Sequence, residues 1–534
     1  MIRKKTILLI ILLLFIISSI IQIINFRNNY ILINKTNGKS NQAIIHENDY
    51  SDNTKASSAF KPKEKENGNN NNVNEDENKN EISNAITDYL LASFHGPINL
   101  LEEFSELTSR IELHTTLWNI IFRKNESENE NENEKKNKNE TETENDFKAY
   151  KNELIHHSQF LVQENRNDLP NEKKLLAGLH QELYPWLYNH RFHSMRDIMQ
   201  SSNGKGLVLC TGDLHFKFAR STIDTLRNVI HTSLPIEIFY NGEEDLSESN
   251  REILREYQDV YVTDISSYFD NSIIEISGWA IKPFAILASR FEEVILIDAD
   301  VVYLRDPIEL FEDQGYSEKG TLFFRDRTLF PGSNPGLDWL KSWMVHPLPE
   351  TKTLRFWNEA SMHEMESSTV VIHKTRNLLG LLSTCKLNER QIRDDVVYQY
   401  VYGDKETFWI GFDIARQHYN LNPLPCIYVG KYYANDDTNN KGICGHIGHT
   451  LSNGNFMFWN GHIVKDKSNI TGKESLIDFD SFVVTNDNNE WAEDLTCLIL
   501  DNVETKPIPL DNYVRQTIDK ILQRENLYHY VIQE

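Results

Sequence analysis

Two aspartates one residue apart, Asp298-Ala299-Asp300, are the residues of this chain whose type and spacing best suit chemistry. Carboxylates at that spacing chelate or bridge a hard divalent cation, and a nucleoside diphosphate completes such an ion's oxygen shell. Spacing alone does not single them out, because Asp478-Phe479-Asp480 repeats it. About two such copies are expected from composition in a chain of this size. Context separates them: Asp298 follows the apolar run Val294-Ile295-Leu296-Ile297, whereas the second copy follows a polar segment with only Leu476 and Ile477. Carboxylates at the tip of a buried strand carry a burial cost that a solvated face does not. The competing reading is a strand-end loop whose aspartates cap a helix.

Other side chains with chemical capacity are Lys282, Glu366, Arg325-Asp326-Arg327, the pair Asp394-Asp395, and three histidines. The histidines are His446 and His449 in CGHIGH and His462 in WNGHIVK, which also carries Lys465. Lys282 alone reads equally as a solvated helix lysine, Asp394-Asp395 as a helix cap, and Arg325-Asp326-Arg327 as an exposed ion-pair network. His446 and His449 with Cys444 offer three zinc ligands, with no fourth evident.

The elements that must position these groups follow from periodicity. LVLCTG (207–212), IEIFYNG (236–242), VYVTDI (260–265) and EVILIDADVVYL (293–304) read as short strands. Between them lie helical patterns around Phe218 to Ile230, over SESNREILREY, and from Lys282 to Arg290. Short apolar strands alternating with helices predict an α/β fold with a mostly parallel sheet flanked by helices, whose ligands bind beyond the carboxyl ends of the strands. Val301 to Leu304 continues extended, and Asp306-Pro307 marks the turn into the next helix.

Upstream the chain changes character. Thr6 to Ile24, TILLIILLLFIISSIIQII, is uncharged and long enough to span a bilayer. Arg3, Lys4 and Lys5 precede it, so the positive-inside rule predicts a cytosolic tail (1–5), a signal-anchor (6–24) and a lumenal bulk. A cleaved signal peptide is the alternative, but the run exceeds an ordinary h-region and no small-x-small site follows. Residues 25–81, ending in NGNNNNVNEDENKN, are too polar to bury a core and read as a disordered lumenal stalk. Residues 82–203 carry helical spacing and read as a stem, interrupted by the charged insertion KNESENENENEKKNKNETETEND at 124–146. Residues 204–534 form the expected catalytic domain. Sequons at Asn34, Asn125, Asn139 and Asn469 suit glycosylation in a lumen.

The formal net charge of -24 excludes a nucleic-acid binder, which needs a basic surface. Five cysteines with no CxxC pair exclude a disulfide-built scaffold and leave room for one or two bridges.

The string WAIKPFAILASRFEEVILIDADVVYLRDPIELF (279–311) resembles the D-x-D core of nucleotide-sugar transferases with the GT-A fold. With GLVLCTGDLHFKFARSTIDTLR, FFRDRT, ESSTVVIHK and RDDVVYQYVYG, residues 205 to 465 are similar to the fungal Golgi alpha-1,3-mannosyltransferases of glycosyltransferase family 71. The resemblance implies a GDP-mannose donor, Mn2+ or another divalent metal, and retaining transfer to the terminal mannose of N- or O-linked glycans. It also implies a single-pass type II protein of the Golgi membrane. Asp298 and Asp300 match the metal and diphosphate motif. Lys282 matches a cation near the donor diphosphate, and Thr211-Gly212 the end of the first strand, where nucleoside contacts fall. Glu366 matches a position against the transferred sugar. Asp394-Asp395 match the place beneath the anomeric carbon, where a retaining enzyme needs a nucleophile or a charge-stabilising group. His462 matches the late histidine that completes the metal shell, with Lys465 in the loop that closes on the diphosphate. Two rival readings stand beside this one: a transferase using a UDP-sugar or making another linkage, and a non-catalytic Golgi glycan-binding or scaffold protein.

Overall fold

The computed structural model describes residues 87, 90, 91, 104–123, 144–435, 440–467, 475–500 and 506–528. The expected anchor, the stalk, most of the charged insertion and all four sequons lie outside these residues. Among the described residues no helix is long and apolar enough to cross a membrane.

The centre is a six-stranded sheet in the order β3-β2-β1-β4-β7-β6. Its strands are β1 (Lys205–Cys210), β2 (Ile236–Tyr240), β3 (Val260–Asp264), β4 (Glu293–Ile297), β6 (Thr321–Arg325) and β7 (Met365–His373). The first four run parallel, as their uniformly apolar character predicts. β7 runs antiparallel to both β4 and β6. Alternate side chains of each strand enter opposite layers, because successive residues of a strand face opposite ways. Val208, Phe239, Val294, Leu296, Val370 and Ile372 join one apolar cluster. Leu207, Leu209, Ile236, Ile238, Ile295, Ile297 and Val371 join the other. Helices cover both faces, so there is no solvated side along which a polar alternation would show.

Helices α1 (Phe104–Phe122), α2 (Glu144–His157), α3 (Asn171–Leu183) and α4 (Met195–Ser201) lie in the segment read as a stem. Phe104, Leu107, Ile111, Trp118 and Phe122 recur at helical spacing and are buried in the same cluster as Val208 and Leu296. Burying each such side chain contributes about 1.5–3 kcal/mol, which secures these helices to the sheet. Glu144 to Asp146, placed by sequence in the charged loop, begin α2. The other cluster is closed by Phe218, Ile223 and Leu226 of α5 (Phe216–Asn228).

At its carboxyl end β4 hands the chain to a second, antiparallel sheet, which the sequence did not announce. β5 (Val301–Tyr303) pairs with β10 (Phe456–Asn460), which pairs with β9 (Asn440–Thr450). Beyond it the order is β12-β13-β9-β8-β11-β14, with β8 spanning Ile427–Asn435, β11 Ser481–Val484, β12 Glu490–Trp491, β13 Cys497–Ile499 and β14 Ile508–Pro509. Cys444 of β9 and Cys497 of β13 sit directly opposite and form a disulfide. That bond removes Cys444 from the zinc alternative. Cys210, Cys385 and Cys426 are free thiols. The C-terminal helix α6 (Asn512–Tyr528) places Val514, Ile518 and Ile521 against Val302, Trp459 and Ile463.

Candidate active site

Asp298, Ala299 and Asp300 form the turn between β4 and β5, at the seam of the two sheets. Thr222 of α5 donates its hydroxyl to Ala299 O (2.8 Å) and Val301 O (3.1 Å), and Asp298 N–H donates to Ser368 O (2.8 Å). These bonds set the two aspartates beside the start of β7, where Glu366, Ser367 and Ser368 lie.

Lys282 enters from the helix Ile281–Ala288, buried to 7% exposure. Its Nζ is 2.8 Å from Asp298 Oδ1 and 3.7 Å from Asp404 Oδ2. It also donates to Ser367 O (3.3 Å) and Ser367 Oγ (3.2 Å), and that hydroxyl donates to Asp404 (3.1 Å). Burial draws the Lys282 ammonium down, but the Asp298 and Asp404 carboxylates more than offset this and hold it above its ordinary range. Lys282 is therefore a buried cation, not a solvated helix lysine. Burial pushes the Asp298 carboxyl up to about 6, opposed by Lys282 and reinforced by Asp300 and Glu366. Asp404 is raised as well, through burial.

Asp300 is 9% exposed and ion-paired with Lys467. Burial works against its ionisation, yet Lys467 holds it below the usual carboxylate range. Its carbonyl accepts from Gly461 N–H (3.2 Å) and His462 N–H (2.7 Å), which brings the loop after β10 onto the aspartate turn. His462 has a φ of +62°, and the fully buried ring points its Nε2 to Ser221 Oγ (2.8 Å), with Glu525 Oε1 of α6 at 3.6 Å. Burial lowers this imidazole to about 3, so it is neutral at any working pH, although Asp300 pulls the other way. Among the described residues no hydrogen-bond partner faces His462 Nδ1.

Glu366 is fixed from several sides. It accepts from Ser368 N–H (2.9 Å), Ser368 Oγ (2.6 Å) and Asn460 Nδ2 (3.0 Å), and His449 Nε2 stands 3.2 Å away. Burial opposes its charge, but the His449 and serine contacts outweigh that and keep it low. Thr211 and Gly212 follow β1 as expected. A Cβ on Gly212 would lie 2.2 Å from Asp245 Oδ1, so glycine there permits the close approach of the neighbouring loop.

The other positions singled out in the sequence make different contacts. Asp394 and Asp395 are exposed on a π-helical turn, Arg393–Val397, where Arg393 Nε reaches Asp394 Oδ1 at 2.6 Å. The carboxylate that this part of the chain sends to Lys282 is Asp404. Lys465 is exposed, with its N–H on Ser475 O, and Lys467 is the residue that meets Asp300. His446 bonds Val464 O (2.8 Å). Asp326 pairs with Lys405 (2.6 Å) and Arg327 (3.6 Å), the ion-pair reading of that segment. Asp478 and Asp480 share the exposed Lys431 at 2.7 Å and 3.0 Å, the surface role their polar context suggested.

Asp404 and Lys467 escaped the sequence reading because neither sits at an informative spacing from the aspartates they serve. Among the described residues no three His, Cys, Asp or Glu side chains stand ready as a closed metal cluster. Asp298 and Asp300 are the hard oxygen donors that this turn supplies, of the type a divalent ion takes together with ligand oxygens.

The sequence matches a family model described as "Mannosyltransferase putative" over residues 204–337 and 342–450. It is 28% identical over 298 residues to the alpha-1,3-mannosyltransferase MNT3 of Saccharomyces cerevisiae, covering 49% of this chain and 46% of that protein. It is 27% identical over 332 residues to a Candida albicans protein named "Putative alpha-1,3-mannosyltransferase MNN15", covering 49% and 42%. The matched part therefore spans less than half of either relative. Among solved structures, the galactosyltransferase LgtC is 14% identical over 39% of this chain and 70% of its own, with a TM-score of 0.26, a likeness too slight to bear on this chain.

Proposed function

We propose that the chain, which matches a mannosyltransferase family model over residues 204–337 and 342–450, is a fungal alpha-1,3-mannosyltransferase that transfers mannose from GDP-mannose, with retention, to the terminal mannose of a protein-linked glycan. The observation that carries this reading is the pairing of half-buried Asp298 with Lys282 and of buried Asp300 with Lys467, with the His462 N–H held on the Asp300 carbonyl. Asp298, Asp300 and His462 would hold Mn2+ or a similar ion, which when bound neutralises charge growing on the leaving diphosphate. Lys467, exposed and already paired with Asp300, supplies a second positive charge to the same phosphates. Lys282 keeps Asp298 ionised and fixes its direction. Glu366 and Asp404 bring negative charge toward the sugar, where it stabilises an oxocarbenium-like state. Thr211 and Gly212, just past the end of β1, would lie against the nucleoside.

We place the protein in the Golgi membrane as a single-pass type II chain. Support comes from the apolar segment Thr6 to Ile24 behind Arg3, Lys4 and Lys5, and from the Cys444–Cys497 disulfide, which suits an oxidising lumen.

The test is transfer by the full-length protein from labelled GDP-mannose to mannobiose with Mn2+, beside Asp300→Ala and Asp480→Ala. Asp300→Ala is expected to lower transfer by at least about 100-fold, as loss of a metal ligand should exceed loss of its supporting shell. Asp480→Ala should stay within about twofold, since this half-buried carboxylate pairs with Lys431 and, among the described residues, has no hydrogen bond or ion pair with the aspartate turn. Full activity in Asp300→Ala, or turnover of a UDP-sugar in place of GDP-mannose, would sink the reading.

A further inference from the structure

Two large aromatic side chains stand exposed beside the Lys282 cluster. Trp279 is 51% and Tyr402 63% exposed, although both belong to segments whose next residues are buried. Their ring centroids are 5.5 Å apart with planes inclined at 43°, which makes a shallow open vee. The pair is rigidly seated. Gly403 adopts φ +67°, and a Cβ there would stand 2.9 Å from the Trp279 ring, so the indole lies directly on that backbone. Lys405 Nζ sits 5.5 Å from the Tyr402 ring, and the His363 ring meets the same phenol edge-on at 5.9 Å.

The position relative to the reaction is fixed by the chain. Trp279 lies in the short turn Gly278–Ala280 that runs without interruption into the helix bearing Lys282. Tyr402 lies two residues before Asp404. Since Lys282 and Asp404 are themselves 3.7 Å apart, the two rings flank the same charged centre from its two supporting segments.

Large rings left in water forfeit the area that would reward burial, so an ordered exposed pair at the mouth of a site marks a ligand surface. A hexopyranose has one face of axial C–H groups, which packs on electron-rich rings, and a rim of hydroxyls. The rim would turn toward the Lys405 ammonium beside the Tyr402 ring, which Asp326 holds in place at 2.6 Å. Trp279 and Tyr402 therefore offer the apolar surface that a sugar ring needs, with the Lys405 ammonium at its edge.

The geometry points to Trp279 and Tyr402 as the acceptor platform, stacking the terminal hexopyranose of the glycan that receives the transferred sugar. This rests on the transferase reading above.

The experiment compares full-length parent, Trp279→Ala, Tyr402→Ala and Trp279→Phe with Mn2+ present, reading acceptor KM for mannobiose and GDP affinity by calorimetry. The alanine variants are expected to raise acceptor KM about tenfold or more, the loss of one stacked ring, while GDP affinity holds. Trp279→Phe should recover most of the loss. Unchanged acceptor KM overturns the platform, and weakened GDP binding in Trp279→Ala overturns it too, by assigning the indole to the nucleoside. A parent that binds no GDP and turns over no GDP-mannose refutes the transferase reading and the platform with it. That outcome is distinct from a parent that works with variants that do not differ from it.

Discussion

Lys282 Nζ lies 2.8 Å from Asp298 Oδ1 and 3.7 Å from Asp404 Oδ2, so one buried ammonium serves two carboxylates from distant parts of the chain. The centre is thereby charged but compensated. Removing the cation leaves the half-buried Asp298 and the buried Asp404 without their shared counter-charge.

That arrangement predicts a large structural penalty. Lys282→Met should lower unfolding free energy by about 3–5 kcal/mol, the cost of stranding one side of a buried ion pair. Denaturant unfolding measures it. A variant as stable as its parent would show that Asp298 and Asp404 do not depend on Lys282.

Ser221 bridges the next relationship, since its hydroxyl contacts Glu525 and also lies 2.8 Å from His462 Nε2. A ligand imidazole held at its far nitrogen has its tautomer and direction set by that contact. Glu525→Gln is expected to weaken Mn2+-supported GDP binding by about 10–100-fold. His462→Ala should do the same or more, and Mn2+ titration by paramagnetic resonance reads both. Equal metal affinity in parent and Glu525→Gln would leave α6 with a packing role alone.

How much of this was legible beforehand depended on whether a residue's neighbours in sequence were also its neighbours in space. Val294 to Ile297 announced a buried strand by apolar content, and the aspartates at its tip were singled out for that reason. His462 was visible through its glycine-bearing loop. The second sheet was not visible: NKGICGHIGHT in β9 is short of branched apolar residues, and its strands are fixed by pairing across the chain. Cys444 and Cys497, 53 residues apart, carry no spacing signal either. Asp394-Asp395 drew attention as a doublet and is exposed, whereas Asp404, which carries no such signal, is the residue that meets Lys282.

Glu406 provides a pH test away from the aspartates. It accepts from Glu364 N–H (2.9 Å) and Trp409 Nε1 (2.6 Å), and burial pushes it from 4.5 up to about 7, partly opposed by Lys405. Between those values the folded chain keeps a proton that the unfolded chain has released. Its stabilising contribution is whole below pH 4.5 and disappears as pH rises through 7. Relative to Glu406→Gln, parental stability should fall by about 1.4 kcal/mol per pH unit across that window. A difference that does not vary with pH would show that Glu406 titrates normally in the folded protein.

The seam between the sheets also has a bearing on timing. Both aspartates leave the ribosome well before Gly461, His462 and Lys467, and α6, which backs the imidazole through Glu525, comes last. A nascent chain halted before residue 460 would own the motif yet lack the ring and the cation that make it work. On the proposed reading, donor handling would wait for residues 461–467 to dock on the aspartate turn.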